Sequence, residues 1–323
     1  MIETLASYSL LAVYSAMAVY TLAFVLFTLD LARRSAPTAV ALETPAAASA
    51  ARTGKAATAV VDRPTTDAPP AAARTTPRYL RAAMALTLIA WVLHVAGAVL
   101  RGLAAGRVPW ANMFEFTLTA TAIIVGVFLV VQLWQDLRYL GVFITGFALI
   151  ALGLATVNFY VAVVPLPPAL QSYWLVIHVF VASLGTGFFA VGAALAVVQL
   201  LQARRESGRS KGPRFLATLP TAEQLEVLSY RVIVVGFVFW SFTLIAGAVW
   251  AERAWGRYWG WDTKEVWTFI IWTIYAGYIH ARATRGWRGS RSAVLALIGF
   301  GAVLFNFTIV NLFFKGLHAY SGL

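Results

Sequence analysis

Residues 139–157 read YLGVFITGFALIALGLATV, a run that contains no charged side chain. A helix needs about 20 predominantly apolar residues to cross the hydrocarbon core of a bilayer, so this run is long enough to span a membrane. Similar apolar runs occur on both sides of it. We predict eight spans, at Leu5–Leu29, Leu80–Leu100, Phe114–Leu133, Tyr139–Val157, Trp174–Leu201, Tyr230–Trp250, Val266–Ala281 and Ala293–Phe314.

The overall composition also indicates a membrane protein. Of the 323 residues, 60% are hydrophobic and 12% are charged, and the mean hydropathy is +0.76. A soluble domain could not cover so much apolar surface with so few charges. The formal net charge of +12 does not indicate nucleic-acid binding, because the Lys and Arg residues lie between the apolar runs rather than on one basic face. The predicted fold class is all-α, a polytopic membrane protein of about eight transmembrane helices.

The chain divides into three segments. Residues 1–30 are predicted to be a transmembrane anchor rather than a signal peptide, because Arg33 and Arg34 follow the apolar run and no basic residue precedes it. Residues 31–78 are rich in Ala, Thr and Pro and lack apolar periodicity, which predicts a disordered cytoplasmic linker. Residues 79–323 form the predicted seven-helix membrane domain.

The positions of the basic residues predict the orientation of the chain. With the N-terminus outside, nineteen of the 25 Lys and Arg residues fall at the inner face. The other six fall at the outer face, at Arg101, Arg107, Arg253, Arg257, Lys264 and Lys315. Short cytoplasmic loops carry an excess of Lys and Arg, so we expect both termini, and the loop at about 251–265, to lie outside.

The chain has no cysteine. It therefore has no disulfide, no thiolate nucleophile, no cysteine metal site and no C-x-x-C-H haem attachment sequence of its own. Any thiol chemistry requires a partner protein that brings the thiols. The sequence also lacks a Walker-type phosphate loop, a dinucleotide-binding glycine motif, an H-E-x-x-H zinc motif and a nucleophile elbow.

The predicted loop between the sixth and seventh spans is rich in tryptophan. Residues 250–267 read WAERAWGRYWGWDTKEVW. An aromatic belt at the membrane interface explains Trp250 and Trp267, but not three further Trp residues separated by glycines. We predict that these three indoles form a platform for a large planar aromatic ligand, and that the glycines let the backbone approach it. The predicted cofactor-binding residues are Trp255, Gly256, Arg257, Trp259, Trp261, Asp262 and Lys264.

The charged residues of this loop have two interpretations. Asp262 and Glu265 have the spacing of a capping box at the start of the seventh span. Arg253, Arg257 and Lys264 would pair with carboxylates of a ligand, or would simply extend to the membrane interface. Residues Asn112 to Glu115, in the loop after the second span, also fit a helix cap. Sequence alone does not decide whether that loop lies near the ligand.

Two of the four histidines are predicted to lie level with the tryptophan-rich loop. His178 is close to the outer start of the fifth span, and His318 lies just beyond the outer end of the eighth span. Two imidazoles beside an aromatic platform suggest the axial ligands of a porphyrin iron.

The other two histidines are predicted to lie deeper. His280 lies 18 residues after Asp262, about 27 Å further in at 1.5 Å per residue, so it is a candidate for a second site near the inner leaflet. His94 is in the middle of the second span. It is either a further haem ligand or a buried histidine that bonds to a neighbouring helix.

The stretch from Trp255 to Glu265 resembles the WWD signature of haem-handling proteins. With its continuation to His280, it is similar to the CcsA (ResC) family of System II cytochrome c biogenesis. The Lys264–Glu265 pair after Asp262 distinguishes it from the related CcmC and CcmF proteins. The resemblance extends from about Leu80 to the C-terminus, and Thr263 stands where the family often has proline.

The resemblance implies a function and its site residues. It implies that His178 and His318 are external haem ligands and that His280 belongs to an inner haem site whose other ligand comes from a partner CcsB (ResB) subunit. Haem b would pass from the inner to the outer site. There it would be attached covalently to apocytochrome c, which brings its own C-x-x-C-H segment and depends on thiol-reducing proteins. The implied location is the bacterial plasma membrane, with the haem-presenting loop on the outer face.

No catalytic residue is assigned, and the chain would act as part of a synthetase complex by positioning haem. Two alternatives remain open. One is a haem transporter without ligation activity, and the other is a b-type electron-transfer protein.

Overall fold

A computed structural model of the protein describes residues 1–35, 78–163, 166, 171–208, 212–284, 287–314 and 316–318. All regular structure in these ranges is helical. The main helices are α1 (Ile2–Ser35), α2 (Arg78–Ala105), α3 (Met113–Val131), α4 (Gly141–Asn158), α5 (Tyr173–Glu206), α6 (Ala222–Trp255), α7 (Thr263–Ala283), α8 (Ser290–Phe307) and α9 (Ile309–Phe313). Short 3-10 helices at Arg138–Leu140 and Arg214–Thr218 precede α4 and α6.

Each of the eight predicted spans is helical, which confirms the predicted fold class. Within the described residues, seven helices are long and apolar enough to cross a membrane. The exception is α7, the predicted seventh span, which carries Lys264, Glu265, His280 and Arg282. Its packing against α6 and α8 buries Ile271, Tyr275 and Tyr278 within the bundle.

Several helices extend beyond the predicted spans, and α1 and α6 do so by the most residues. Helix α1 continues to Ser35, into the predicted linker, and Arg34 pairs with Asp30 one turn earlier at 2.7 Å. Helix α6 begins at Ala222 rather than Tyr230, because Thr221 and Gln224 form a capping box there. Residues 36–77, which make up most of the predicted linker, lie outside the described part of the chain.

Close helix pairs form the bundle. Ser9 of α1 donates a hydrogen bond of 2.7 Å to the carbonyl of Gly97 in α2. Ser229 of α6 donates one of 2.9 Å to the carbonyl of Gly192 in α5. A Cβ atom on Gly192 would lie 2.5 Å from Cγ1 of Ile233, so glycine is required for this approach. Small residues at such crossings let helix backbones come close, as is common in membranes.

Buried ion pairs join the helices at both ends of the bundle. At one end, Glu226 of α6 pairs with Arg282 of α7 at 3.1 Å and accepts the backbone N–H of Gly289, just before α8, at 2.9 Å. At the other end, Glu115 of α3 pairs with Arg101 at 2.9 Å and with Arg107 at 2.6 Å. Because Glu115 and Arg101 are almost fully buried, their charges depend on each other for compensation. This second end, where α3, α5 and α7 begin, is called the cavity end below.

Candidate functional site

The loop between α6 and α7 is folded around one carboxylate. Gly256, in the left-handed conformation (φ 70°), ends α6 and donates its N–H to the carbonyl of Glu252. The buried Glu265 carboxylate then accepts the backbone N–H groups of Gly260 at 2.8 Å and Asp262 at 3.0 Å. The second of these bonds is half of the capping box predicted for Asp262 and Glu265, which the structure contains.

Arg257 is also held inside this loop. Its Nη1 lies 3.4 Å from the Glu265 carboxylate, and its guanidinium occupies the space where a side chain at Gly260 would begin. The guanidinium of Arg257 therefore acts within the loop and does not line the cavity described next. Glycine at position 260 makes room for this arginine, not for a planar ligand as the sequence suggested.

The cavity end contains a cavity of about 220 Å³ between α3, α5, α6, α7 and α8. Its wall is mostly apolar. The polar and aromatic residues that line it are Trp110, Asn112, Phe116, Thr117, Thr121, Phe147, His178, Thr186, Trp240, Thr243, Trp250, Tyr258, Trp259, Lys264, Glu265, Thr268, Asn306, Phe307, Asn311 and His318. The two histidines that the sequence placed at one level therefore line the same cavity.

His178 is held by α6. Its Nδ1 lies 3.0 Å from the carbonyl oxygen of Thr243, and its ring stacks on Trp250 at a centroid distance of 5.7 Å. Since a carbonyl only accepts, Nδ1 carries the proton and Nε2 keeps its lone pair. A Cβ atom on Gly247 would come within 2.8 Å of the imidazole, so glycine there makes room for the ring.

His318 is held by Asp262. Its Nδ1 lies 2.7 Å from Oδ2 of Asp262, while Oδ1 of the same carboxylate accepts the backbone N–H of Leu317 at 2.9 Å. The bond from His318 is the main reason that the pKa of Asp262 falls to about 2. The Nε2 of His318, like that of His178, has no hydrogen-bond partner among the residues that the structure describes.

The indoles near the histidines do not form one flat platform. Trp255 packs against Trp250 and His318, at centroid distances of 4.8 and 4.9 Å. Trp259 lines the cavity, but the Trp261 ring is at 88° to it and is 74% exposed. Trp261 adopts a left-handed backbone conformation (φ 61°), which is unusual for a residue with a side chain. The three predicted indoles thus have three different environments.

Lys264 belongs to the cavity wall. Its Nζ donates to the backbone carbonyl of Asn306 at 2.9 Å and to Oδ1 of Asn311 at 2.6 Å. The side chain thereby bridges α7 to α8 and α9. Simple extension to the membrane interface, the alternative for this residue, does not describe its position.

The remaining histidines lie apart from the cavity. His94 is fully buried, with Nε2 2.8 Å from the carbonyl of Leu118 and Nδ1 3.4 Å from the hydroxyl of Tyr20. Both of its nitrogens have protein partners, as expected for a histidine that bonds to neighbouring helices. His280 lies near the other end of α7 and is exposed on the surface of the bundle.

Comparison with known proteins identifies the family. The family described as "Cytochrome C assembly protein" matches residues 79–318. A cytochrome c biogenesis protein CcsA from Synechococcus sp. (strain CC9902) is 36% identical over 264 residues, which cover 73% of this chain and 85% of the relative. The chain belongs to the cytochrome c assembly protein family, as a member of the CcsA type. The resemblance found in the sequence is confirmed.

Other relatives of this CcsA-type chain agree. CcsA from Microcystis aeruginosa (strain NIES-843 / IAM M-2473) is 35% identical over 266 residues, which cover 68% of this chain and 81% of the relative. The solved structure of the cytochrome c haem lyase CcmF matches with a TM-score of 0.63 at 16% identity, over 94% of this chain and 46% of CcmF. At 16% identity, the likeness to CcmF shows a similar fold and no more. Together these matches support a multi-pass membrane protein of cytochrome c biogenesis.

Several cavity residues of the CcsA-type chain were missed by sequence reasoning. The interface belt expected for Trp250 does not describe it, because Trp250 is 2% exposed and its ring contacts both His178 and His318. Asn311 was not considered at all. Trp110 lies in the loop after the second span, which the sequence did not assign to the cavity. A signal existed only for Asn112, whose side chain caps α3 as its sequence spacing indicated.

Proposed function

We propose that this CcsA-type chain holds haem in the cavity between His178 and His318 and presents it for covalent attachment to apocytochrome c. One observation carries the proposal. Two histidines from different elements line one aromatic cavity, and each uses Nδ1 for a protein acceptor and keeps Nε2 for a metal. Histidines that bind metals are commonly oriented in this way by a second hydrogen bond.

The surroundings of the two histidines fit haem as a substrate. Trp250 and Trp259 offer aromatic surface to a planar macrocycle, and apolar residues such as Leu175 and Leu304 provide most of the rest of the wall. Lys264 supplies a cation for the acidic edge of the ring. Two imidazoles would fill both axial positions of the iron, which suits protection and presentation better than oxygen chemistry.

The reaction proposed for the complex is the addition of two thiols across the two vinyl groups of haem. In each addition, the thiol sulfur bonds to one vinyl carbon and the thiol hydrogen goes to the other, so the step needs no oxidant. The cysteines come from the C-x-x-C-H segment of the apocytochrome, because this chain has none. The contribution of this chain is to orient the porphyrin edge, and the incoming histidine of the substrate replaces one of its imidazoles.

The proposal includes an orientation, a partner and a second site. The excess of Lys and Arg at the end opposite the cavity supports an outward-facing cavity. His280, exposed on α7 near that opposite end, would share an inner haem site with a CcsB (ResB)-type subunit. Haem b would reach the cavity through that site, and thiol-reducing proteins would keep the substrate cysteines reduced.

The ligand roles are tested by replacing each histidine. In cells that lack their own maturation system, the chain is co-expressed with a ResB-like partner and a C-x-x-C-H reporter. We expect His178→Gly and His318→Gly to lower covalent haem in the reporter at least tenfold, and added imidazole to restore part of it. Imidazole added to the unsubstituted chain is the control.

The same assay separates the proposed function from a transporter. Haem bound by the chain without covalent haem in the reporter would favour a transporter and exclude ligation. An unchanged haem absorption spectrum in both glycine variants would show that the axial assignment is wrong.

A further inference from the structure

We infer that Lys264, Asn112 and Trp110 form a carboxylate-binding site in the cavity wall, which recognises the propionates of the porphyrin. The inference rests on the proposed function, since it takes haem as the ligand of the cavity. It adds a determinant of specificity, namely that the chain selects a porphyrin with free carboxylates.

Lys264 brings an amine that forms no ion pair with a carboxylate among the described residues. Burial lowers the pKa of Lys264 to about 7, and a carboxylate bound beside it would favour the charged form. An ammonium group has three N–H donors, and Nζ uses two of them on neutral acceptors, the carbonyl of Asn306 and the side-chain oxygen of Asn311. Neither neighbouring carboxylate accepts from Nζ. Asp262 accepts from His318, Leu317 and the backbone of Lys264. The adjacent Glu265 accepts from the backbone of Gly260 and Asp262. One N–H donor of a cation therefore remains for a ligand in the cavity.

Two further donors in the same wall also lack partners. The indole Nε1 of Trp110 and the amide Nδ2 of Asn112 are buried, and neither has an acceptor among the described residues. The orientation of the Asn112 amide is fixed, because Oδ1 accepts the backbone N–H of Glu115 at 2.9 Å. The unpaired group of Asn112 is therefore the donor. A buried donor without a partner is destabilising, and an incoming acceptor would remove that cost.

The three donors belong to connected parts of the wall. Asn311 accepts from Lys264 and donates to Sδ of Met113, the residue that follows Asn112. Trp110 packs with Leu175, Val179 and Trp250, on the side of the cavity that holds His178. Side-chain Oδ1 of Asn306 is unpaired as well, and rotating that amide by 180° would present a fourth donor.

The charge and chemistry of these groups specify the ligand. A cation and neutral N–H donors bind an anion with several acceptor oxygens. Glu265 also lines the cavity, but its carboxylate already accepts the backbone N–H groups of Gly260 and Asp262. Most of the rest of the cavity wall is apolar, which favours an anion that belongs to a largely hydrophobic molecule. A porphyrin with two propionates has this combination, and its dimethyl ester has the same ring without the charge.

The test compares iron protoporphyrin IX with its dimethyl ester. Both are titrated into the purified full-length chain in detergent, and binding is followed by absorbance. We expect the diacid to bind the unsubstituted chain at least tenfold more tightly than the diester, a difference of about 1.4 kcal/mol. Lys264→Gln should reduce this preference to threefold or less and leave the diester affinity unchanged.

Conservative variants test the neutral donors. Asn112→Ser keeps a side-chain oxygen to cap α3 but removes the amide donor, and Trp110→Phe keeps an aromatic ring but removes Nε1. Each should lower the preference for the diacid by about threefold. Arg253→Gln is the matched control, because Arg253 is a cation in the last turn of α6 that is 64% exposed and does not line the cavity. Its preference should equal that of the unsubstituted chain.

The possible outcomes separate this inference from the proposed function. Equal affinities of the unsubstituted chain for both porphyrins would overturn the carboxylate site and leave haem binding intact. A Lys264→Gln chain that loses diacid and diester affinity to the same extent would also overturn it, since the lysine would then act only on the shape of the cavity. If the unsubstituted chain bound neither porphyrin, the proposed function would fail together with the inference.

Discussion

The carboxylate of Asp262 accepts hydrogen bonds from two separate parts of the chain. Oδ2 accepts the backbone N–H of Lys264 at the start of α7, and it also binds the imidazole of His318. Oδ1 binds the backbone of Leu317, and a Cβ atom on Gly316 would collide with it. The Asp of the loop motif therefore positions a histidine 56 residues later in the chain. We expect its effect on haem to act through His318.

A substitution at this residue has a measurable consequence. Asp262→Asn removes the carboxylate that orients the His318 imidazole through Nδ1, so we expect haem affinity to fall about 10- to 100-fold and the iron midpoint potential to rise. Redox titration of the purified chain with haem measures the second effect. Glu252→Gln, which changes a partly exposed carboxylate of the same region, is the control and should leave the potential unchanged.

The lowered pKa of Asp262 predicts that the stability of the fold depends on pH. The pKa of Asp262 is about 2, below its ordinary value of 3.8, so the folded chain binds fewer protons here than the unfolded chain. The stability from this contact is complete above about pH 4 and is lost as the pH falls towards 2. Asp262→Asn should show no such loss in this window. An equally steep acid transition in the variant would contradict the assignment.

For individual residues, the sequence predicted the depth of a side chain along the bundle better than it predicted which groups that side chain contacts. The rise of a helix and the alternation of loops were enough to bring His178 and His318 to one level. They could not show that Trp261 turns outward, because this depends on a positive φ that is rare for tryptophan. They also could not show that Arg257 would be drawn to Glu265, since that pairing depends on the closed shape of the loop.

Helix α7 links the two ends of the proposed haem path. It begins at Asp262 beside the cavity, and the polar side chains along it leave it less apolar than the other long helices. Its buried face holds Ile271, Tyr275 and Tyr278. The opposite face exposes Phe269, Thr273, Gly277 and His280, which follow one another at intervals of three or four residues and so lie along one side of the helix.

A prediction about α7 follows from this exposed face. An ionisable side chain at such a position is a functional candidate, and His280 has open space rather than a buried environment. With a ResB-like partner present in cells, we expect His280→Ala to lower the haem content of the purified chain at least fivefold. Thr273→Ala, on the same face, is the control and should keep the full haem content. Full haem content in the His280 variant would contradict the order in which the sites are filled.

At the element scale, hydropathy predicted where helices occur but not where they begin or how they pair. The start of α6 depends on the Thr221 capping box, which lies in a stretch with little apolar character. The meeting of α3, α7 and α9 at Lys264, Asn311 and Met113 joins residues that are up to 198 positions apart. No local pattern in a single sequence encodes such a contact, so Asn112 and Trp110 could not be assigned to the cavity in advance.

In the whole molecule, ion pairs join the helices at both ends of the bundle, and the ligand cavity lies at one of these ends. The Glu226 and Glu115 clusters join helices at opposite ends, and neither glutamate lines the cavity. The groups that join the helices are therefore separate from the cavity wall, which keeps unpaired donors and free imidazole nitrogens. Functional sites are often where a protein departs from complete pairing of its polar groups.

The orientation of the whole molecule can be tested because the chain has no cysteine. Tyr258 in the tryptophan-rich loop is 63% exposed, and Trp134, in the loop between α3 and α4 at the opposite end, is 69% exposed. The excess of basic residues near the second loop predicts that it faces the cytoplasm. We expect a membrane-impermeant maleimide to label Tyr258→Cys in intact cells, and to label Trp134→Cys only after the membrane is permeabilised. The unsubstituted chain should remain unlabelled in both conditions. The reverse pattern would place the cavity on the cytoplasmic side, where an exported apocytochrome could not reach the haem.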